Sequence, residues 1–162
     1  MKLSAQKSLK TFSVTAALLL TGSAGFAQCV ALSATDQFFF LQQANAPYLM
    51  VHGSITPDED TLPTRRVAAD GTQQSRSYDA TFEGKKFDGA DFNITVSLPL
   101  TVAENCLAGV CGELQSGTEG VFILRDIDGA YQFSIDGCGF FGDYEPSEEL
   151  LSRYKSCARD GC

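Results

Sequence analysis

Apolar and polar residues alternate along several short stretches of this chain, with the two-residue period of a β-strand that buries one face. The clearest stretch is Phe92–Leu100, in which every second residue is apolar. Further strands are predicted at Tyr48–Ile55, Ser75–Phe82 and Val121–Arg125, and on a returning segment that carries Tyr131, Phe133 and Ile135. Asp128-Gly129, which separates the last two segments, is typical of a tight hairpin turn.

Two features affect the predicted ends of these strands. Pro99 has no N–H to donate, so the strand that contains it is expected to lie at an edge or to end nearby. Gly84, followed by Lys85-Lys86, has the composition of a turn after the Ser75–Phe82 strand.

A helix is predicted at each end of this β-rich region. Thr35 or Asp36 can cap a helix over Gln37–Ala44, which Pro47 ends. Its predicted buried side chains are Phe38, Phe39 and Leu41. The last helix starts with Pro146 at its first position, where the missing N–H costs nothing. One face of that helix carries Leu150, Tyr154 and Cys157.

Five short strands flanked by two helices predict a mainly β domain. We expect a small five-stranded barrel of the oligonucleotide-binding (OB) class, with a short N-terminal helix and a C-terminal helix. Between the first two strands, Thr56–Gln74 forms a polar stretch of 19 residues. Loops of that length are uncommon in compact domains and are usually functional or disordered.

The first 27 residues have the pattern of a signal peptide. Three lysines precede the apolar run Val14–Leu20, and small residues lead up to a cleavage site after Ala27. The apolar run is too short to span a bilayer. We therefore expect cleavage before Gln28, export to a periplasm or the extracellular space, and a single domain over residues 28–162.

The charge of the predicted mature chain narrows the possible partners. Nine basic residues against twenty acidic ones give residues 28–162 a formal net charge of −11. Binding of nucleic acid requires a positive groove with stacking aromatic residues, so that function is excluded. No second long apolar run exists, so no membrane association is expected after signal cleavage. The expected partner is another exported or extracellular protein.

Six cysteines remain after the predicted cleavage, which is an even number in a chain expected to enter an oxidising compartment. They are Cys29, Cys106, Cys111, Cys138, Cys157 and Cys162. We expect three structural disulfides, whose pairing the sequence leaves open among 15 arrangements. The two pairs that are separated by four residues do not have a usual zinc-ligand spacing.

No motif for catalysis appears in the chain. The single histidine, His52, lies in an apolar strand and is predicted to be an ordinary barrel residue. Asp126, Asp128 and Asp136 have some resemblance to a calcium loop, but the remaining ligands are missing at the required offsets. We expect a protein that is not an enzyme and that has no catalytic residues, cofactor or metal. The remaining enzyme hypothesis is a metal held by these three aspartates.

Several motifs occur in an order that resembles a known module. They are Cys29 near the predicted mature terminus, the strand Ala46–Gly53, the turn Val110-Cys111-Gly112, the hairpin strand Gly120–Leu124, and Cys138 followed by the helix Pro146–Cys157. Together they resemble the netrin-like module, the OB barrel of the tissue inhibitors of metalloproteinases. The resemblance is strongest over roughly residues 109–157.

The resemblance implies a protein-binding module with two contact regions. The first is the N-terminal edge and the second is the charged loop. Their residues are Gln28, Cys29 and Val30, and Asp58, Glu59, Asp60, Arg65 and Arg66. The alternative function is inhibition of a metalloproteinase, in which an N-terminal Cys29 would bind the target's zinc. The family pattern also implies a bridge from Cys29 to Cys111 or Cys138, and one from Cys157 to Cys162 or Cys106.

Overall fold

A computed structural model describes residues 32–44, 47–65, 67–107 and 109–162. The elements in chain order are α1 (Ala34–Gln43), β1 (Tyr48–Pro57), β2 (Arg76–Phe87), β3 (Phe92–Glu104), β4 (Cys106–Leu107), β5 (Val110–Cys111), β6 (Glu119–Ile127), β7 (Ala130–Asp136), β8 (Gly139–Phe140), β9 (Gly142–Tyr144) and α2 (Glu148–Asp160). Each predicted strand and helix is present. The predicted signal peptide lies outside the described residues.

Five of the strands close into a barrel. β1 pairs with β2 on one side and with β6 on the other, and β2 pairs with β3, all antiparallel. The ring is completed by a parallel pairing of β3 with β7 and by the β6–β7 hairpin. The order around the barrel is therefore β1-β2-β3-β7-β6, and the predicted five-stranded OB-like barrel is confirmed.

Two facing glycines set the path of β1 and β2. Gly53 lies opposite Gly84, and a Cβ atom on Gly53 would lie 2.7 Å from the Cα of Gly84 and 2.9 Å from the Phe82 ring. Because glycine has no Cβ atom, the two backbones can approach this closely. β2 therefore continues through Gly84 to Phe87. The turn predicted at Lys85-Lys86 is therefore wrong, because these lysines are strand residues paired with β1 and β3.

The barrel interior is filled by the alternating apolar residues that the sequence pattern predicts. Phe122 lies at its centre, with ring centroids of Phe133 and Phe140 at 5.3 and 5.7 Å. The buried members of this core are Val51, Ile55, Tyr78, Ala80, Phe82, Leu100, Val102, Leu114, Phe122, Leu124, Phe133 and Ile135. Burial of this surface is the main favourable contribution to folding.

The helices pack on the outside of the barrel and form a second core. Met50 of β1 and Val121 and Ile123 of β6 point toward them, and α2 contributes Leu151 and Tyr154. The two helices also contact each other. No helix in the described ranges is long and apolar enough to cross a membrane.

A buried amide joins these helices to the barrel. The side chain of Gln37 in α1 accepts a hydrogen bond from the Gly142 N–H (2.7 Å) and donates one to the Gly142 carbonyl (3.3 Å). The Tyr154 hydroxyl of α2 donates to Asp143 (2.5 Å), and its oxygen lies 3.1 Å from the side-chain oxygen of Gln37. Burial, together with the hydrogen bond to Asp143, raises the pKa of Tyr154.

Both helix starts differ from the predictions by a few residues. Ser33 caps α1 and forms a capping box with Asp36, so Thr35 lies inside the helix. α2 is capped by Ser147, and Pro146 precedes the cap. Because α1 buries a face that carries Ala34 and Gln37, Phe39 points away from the core and is 59% exposed. The predicted burial of Phe39 is therefore wrong.

Candidate functional site

A buried carboxylate lies at the end of β3, where the barrel closes against β7. Glu104 is 1% exposed and pairs with Ile135 of β7. Its Oε2 accepts hydrogen bonds from Arg76 Nε (2.6 Å) and from Arg65 Nη2. Its Oε1 accepts from the Tyr78 hydroxyl (2.8 Å) and from a backbone amide, the Leu114 N–H (3.0 Å). Both carboxylate oxygens are thus fully used within the protein.

These hydrogen bonds outweigh the cost of burying the charge. Burial alone raises the pKa of Glu104, but the bonds from Arg76, the Leu114 amide and Tyr78 lower it below the ordinary value of 4.5. The same contact raises the pKa of Arg76, and burial raises that of Tyr78. Glu104 is therefore ionised at neutral pH and acts as a structural anion.

Arg65 connects this carboxylate to the long loop between β1 and β2. Besides the Glu104 contact, its guanidinium donates to the Gly112 carbonyl (3.2 Å) and lies 3.9 Å from the Cys106 sulfur. Arg76 donates to the Pro63 carbonyl of the same loop (3.3 Å). The loop is consequently held against the end of the barrel, beside the β4–β5 hairpin.

The β4–β5 hairpin is closed by a disulfide between Cys106 and Cys111. Leu107 and Val110 project from it and are 59% and 58% exposed. Val110 also packs against the segment after β7, since a Cβ atom on Gly137 would lie 2.6 Å from Val110 Cγ1. The disulfide therefore restricts the conformation of the hairpin that carries these two exposed apolar side chains.

Two more exposed apolar residues lie on the adjoining loop. These are Leu62 and Val67, which stand on either side of Arg65 in the chain. We refer to Leu62, Val67, Leu107 and Val110 as the loop–hairpin surface. They are four of the nine large apolar side chains that are exposed in the described part of the chain. Exposed apolar side chains on two adjoining segments are the candidate interaction site of this molecule.

The predicted partner-contact residues fall into three groups. Asp58, Glu59 and Asp60 are exposed on a turn at the start of the loop, where Asp58 caps the Asp60 N–H (3.1 Å). Arg65 points inward, and 17% of its side chain is exposed. The others, Gln28, Cys29, Val30 and Arg66, lie outside the described residues.

Two of the disulfides join cysteines that are close in sequence. Cys106 pairs with Cys111, and Cys157 with Cys162, which is one of the two partners that the resemblance implies for Cys157. The implied link from Cys29 to Cys111 is wrong, because Cys111 is bonded to Cys106. Cys138 is also disulfide-bonded. Cys29 itself lies outside the described residues.

The three aspartates considered as metal ligands do not converge. Asp126 Oδ1 accepts from the Gly129 N–H (2.8 Å) in the β6–β7 turn, whereas Asp136 lies at the opposite end of β7 and accepts from the Cys138 N–H (2.7 Å). The ends of the seven-residue strand β7 lie about 20 Å apart, at about 3.3 Å per residue. Within the described ranges, no three His, Cys, Asp or Glu side chains are grouped for a metal ion.

His52 is a strand residue, as predicted. It pairs with β2 and β6 within the barrel wall, its ring centroid lies 5.4 Å from that of Phe92, and its Nε2 lies 3.4 Å from Glu119. A cavity of about 390 Å³ lies elsewhere, between α1 and strands β7 to β9. The aromatic residues in its lining are Phe140, Phe141 and Tyr144.

Glu104 was not among the residues that the sequence pattern singled out. The signal that could have identified it is the continuation of the β3 alternation, because Leu100, Val102 and Glu104 lie on one strand face and are all buried. A carboxylate on the inner face of a strand requires partners that satisfy it.

The fold and this site define a closed five-stranded barrel with a buried ion network where β3 meets β7, beside a disulfide-closed hairpin that carries exposed apolar residues. No protein-family model, curated protein or solved structure matches the chain.

Proposed function

We propose that this protein is an exported, disulfide-braced, non-enzymatic module that binds another exported or extracellular protein through its loop–hairpin surface. The observation that carries the proposal is the position of Leu62, Val67, Leu107 and Val110 on two segments that the Glu104 network holds together. The resemblance to the netrin-like module, which includes protein inhibitors, supports the same class of function.

The rigidity of the two segments favours tight binding. Ordering a mobile side chain or loop on binding costs about 0.5–1.5 kcal/mol for each side chain immobilised. The Cys106–Cys111 bridge and the Arg65 contacts have already restricted these segments in the free protein. Apolar anchors on a preorganised support are the usual centre of a protein–protein interface.

The charge of the exposed loop indicates which residues would surround the apolar centre of the partner's binding surface. The acidic run Asp58–Asp60 is exposed on the same loop, and the chain has an excess of acidic residues. A partner with an apolar centre and basic flanking residues would complement this arrangement and would associate faster at low salt.

The proposal is tested by site-specific photo-crosslinking in the cells that export the protein. A photoreactive amino acid at Leu107 is expected to give one discrete adduct, and a Val110→Asp substitution in the same chain is expected to abolish it. The control places the photoreactive group at Ile127, which is also exposed but lies at the end of β6. Equal adducts at both positions, or an adduct unaffected by Val110→Asp, would contradict the proposal.

A further inference from the structure

Two disulfides of this protein have the same spacing but different surroundings. Cys106–Cys111 and Cys157–Cys162 each join cysteines that are five positions apart. Loops of equal length lose the same entropy on closure, so chain entropy does not distinguish the two bridges. The charges and the exposure around the sulfur atoms do differ, and both control the reactivity of a disulfide.

The Cys106 sulfur lies beside a cation. The Arg65 guanidinium approaches it to 3.9 Å, and because 17% of the Arg65 side chain is exposed, solvent screens this charge only in part. Arg65 and Arg76 share the single carboxylate of Glu104, which leaves one positive charge uncompensated among these three side chains. Glu113, whose charge also acts on Arg76, is exposed to solvent.

A cation at this position favours cleavage of the bridge in one direction. In thiol–disulfide exchange, a thiolate attacks one sulfur and the other sulfur leaves as a thiolate. A neighbouring cation stabilises a thiolate and so makes the sulfur beside it the better leaving group. Cys106 is therefore the favoured leaving group, and Cys111 is the sulfur that is attacked. Both cysteines are half-buried, so neither is fully shielded from a small thiol.

The second bridge lacks these advantages. Cys157 is 4% exposed and lies in the last turn of α2, at the negative end of the helix dipole, which disfavours a thiolate. The arginines of this helix, Arg153 and Arg159, are exposed, and Arg159 is bonded to Asp160 (2.7 Å). Attack on Cys157 is hindered by its burial, and attack on Cys162 would release a disfavoured thiolate at Cys157.

We propose that Cys106–Cys111 is an exchange-active disulfide whose reductant is a dithiol. A thiolate of the dithiol forms a mixed disulfide with Cys111, and the electron pair of the broken S–S bond leaves with Cys106 as a thiolate beside Arg65. The second thiol of the dithiol loses its proton to solvent and displaces Cys111, which takes up a proton. The dithiol is oxidised to a disulfide, and the bridge is reduced to one thiolate and one thiol.

Reduction of this bridge is expected to be a local event. At the base of the hairpin, the Asn105 N–H donates to the Ile135 carbonyl of β7 (2.8 Å), and the Gly112 N–H donates to the Asn105 carbonyl (3.0 Å). These hydrogen bonds do not involve the cysteines, so residues 106–111 gain freedom while the barrel stays closed. The reactivity of the bridge does not depend on whether a partner binds the hairpin.

The experiment measures how fast each bridge opens in the purified, folded protein, with dithiothreitol as the dithiol. Samples are alkylated at intervals and mapped by mass spectrometry, so that both five-residue bridges are followed in the same molecule. Cys106–Cys111 is expected to open about tenfold faster than Cys157–Cys162. Arg65→Gln is expected to remove most of this difference by slowing the first bridge alone, and Arg65→Lys, which keeps the charge, is expected to retain it.

The matched control is Arg125→Gln, which removes an exposed positive charge at the β6–β7 hairpin and is expected to change neither rate. A variant that merely loosens the hairpin would open Cys106–Cys111 faster, and a variant that unfolds would open both bridges faster. Slower opening of the first bridge alone therefore reports the loss of charge. Equal rates for the two bridges in the unmodified protein, or an Arg65→Gln variant whose Cys106–Cys111 bridge opens as fast as before or faster, would overturn the proposal.

Discussion

Replacement of Glu104 by Gln tests whether the buried ion network stabilises the barrel. The substitution keeps the size of the side chain but removes the charge that Arg65 and Arg76 share. One amide oxygen then replaces two carboxylate oxygens, and the amide NH₂ must face a donor. At neutral pH we expect a clear loss of stability.

The magnitude follows from the burial of the partners. Removal of one member of a buried ion pair costs about 3–5 kcal/mol. Here 17% and 18% of the two arginine side chains stay exposed, so water partly compensates and we expect about 3 kcal/mol. With a slope of roughly 2 kcal/mol per molar urea, the unfolding midpoint falls by about 1.5 M. Since the chain has no tryptophan, far-UV circular dichroism is the suitable signal.

The effect of Glu104→Gln depends on pH in a defined direction. The folded-state pKa of Glu104 lies below the ordinary value of 4.5. Its charge therefore stabilises the folded protein fully above pH 4.5, and this contribution is lost as the pH falls through the lower folded-state pKa. The Gln variant lacks this titration, so the stability difference between the two proteins narrows in acid.

Glu83→Gln is the matched control, because Glu83 is an exposed strand residue of β2. Its substitution should change the free energy of unfolding by less than about 0.5 kcal/mol. The reasoning fails if Glu104→Gln costs no more than this control, or if its cost is the same at neutral pH and below pH 4.5.

Three further predictions concern the packing of the helices, the close approach of β1 and β2, and the disulfides. Gln37→Leu leaves the polar groups around it unsatisfied and should cost about 2 kcal/mol in urea unfolding, against almost nothing for the exposed Gln42→Leu. Gly53→Ala forces β1 and β2 apart and should lower stability by about 2 kcal/mol in the same assay; a neutral effect would contradict the close approach. Non-reducing peptide mapping should find Cys138 joined to Cys29, and any other partner would refute this pairing.

The barrel could be predicted from the sequence because its inner residues are apolar and its strands are antiparallel neighbours for the most part. The alternation around Phe92–Leu100 and the Asp128-Gly129 turn locate two parts of the ring directly. The ends of the strands are harder to predict from the sequence. β2 passes through Gly84 only because Gly53 faces it from another strand, and a local pattern cannot contain that contact.

The candidate site depends on contacts that are distant in sequence, so little of it could be predicted. Arg65 is a charged loop residue by pattern, and its inward orientation arises from a carboxylate 39 positions further along the chain. The exposure of Leu107 and Val110 follows from the Cys106–Cys111 bridge, and cysteine spacing alone does not determine pairing.

The parallel contact between β3 and β7 also bears on the order of events in folding. β1, β2 and β3 can form by successive antiparallel pairing, and β6 and β7 by a tight turn. Closure of the barrel needs in addition the β3–β7 contact, between segments about 30 residues apart, and the β1–β6 contact, between residues 65 to 77 positions apart. Pairings between distant segments must first overcome the entropy of loop closure, so closure of the barrel is expected to come late in folding. Glu104 lies in the β3–β7 part of this closure. Contacts formed after the transition state mainly control unfolding, so loss of this carboxylate should shorten the lifetime of the closed barrel while the folding rate changes little.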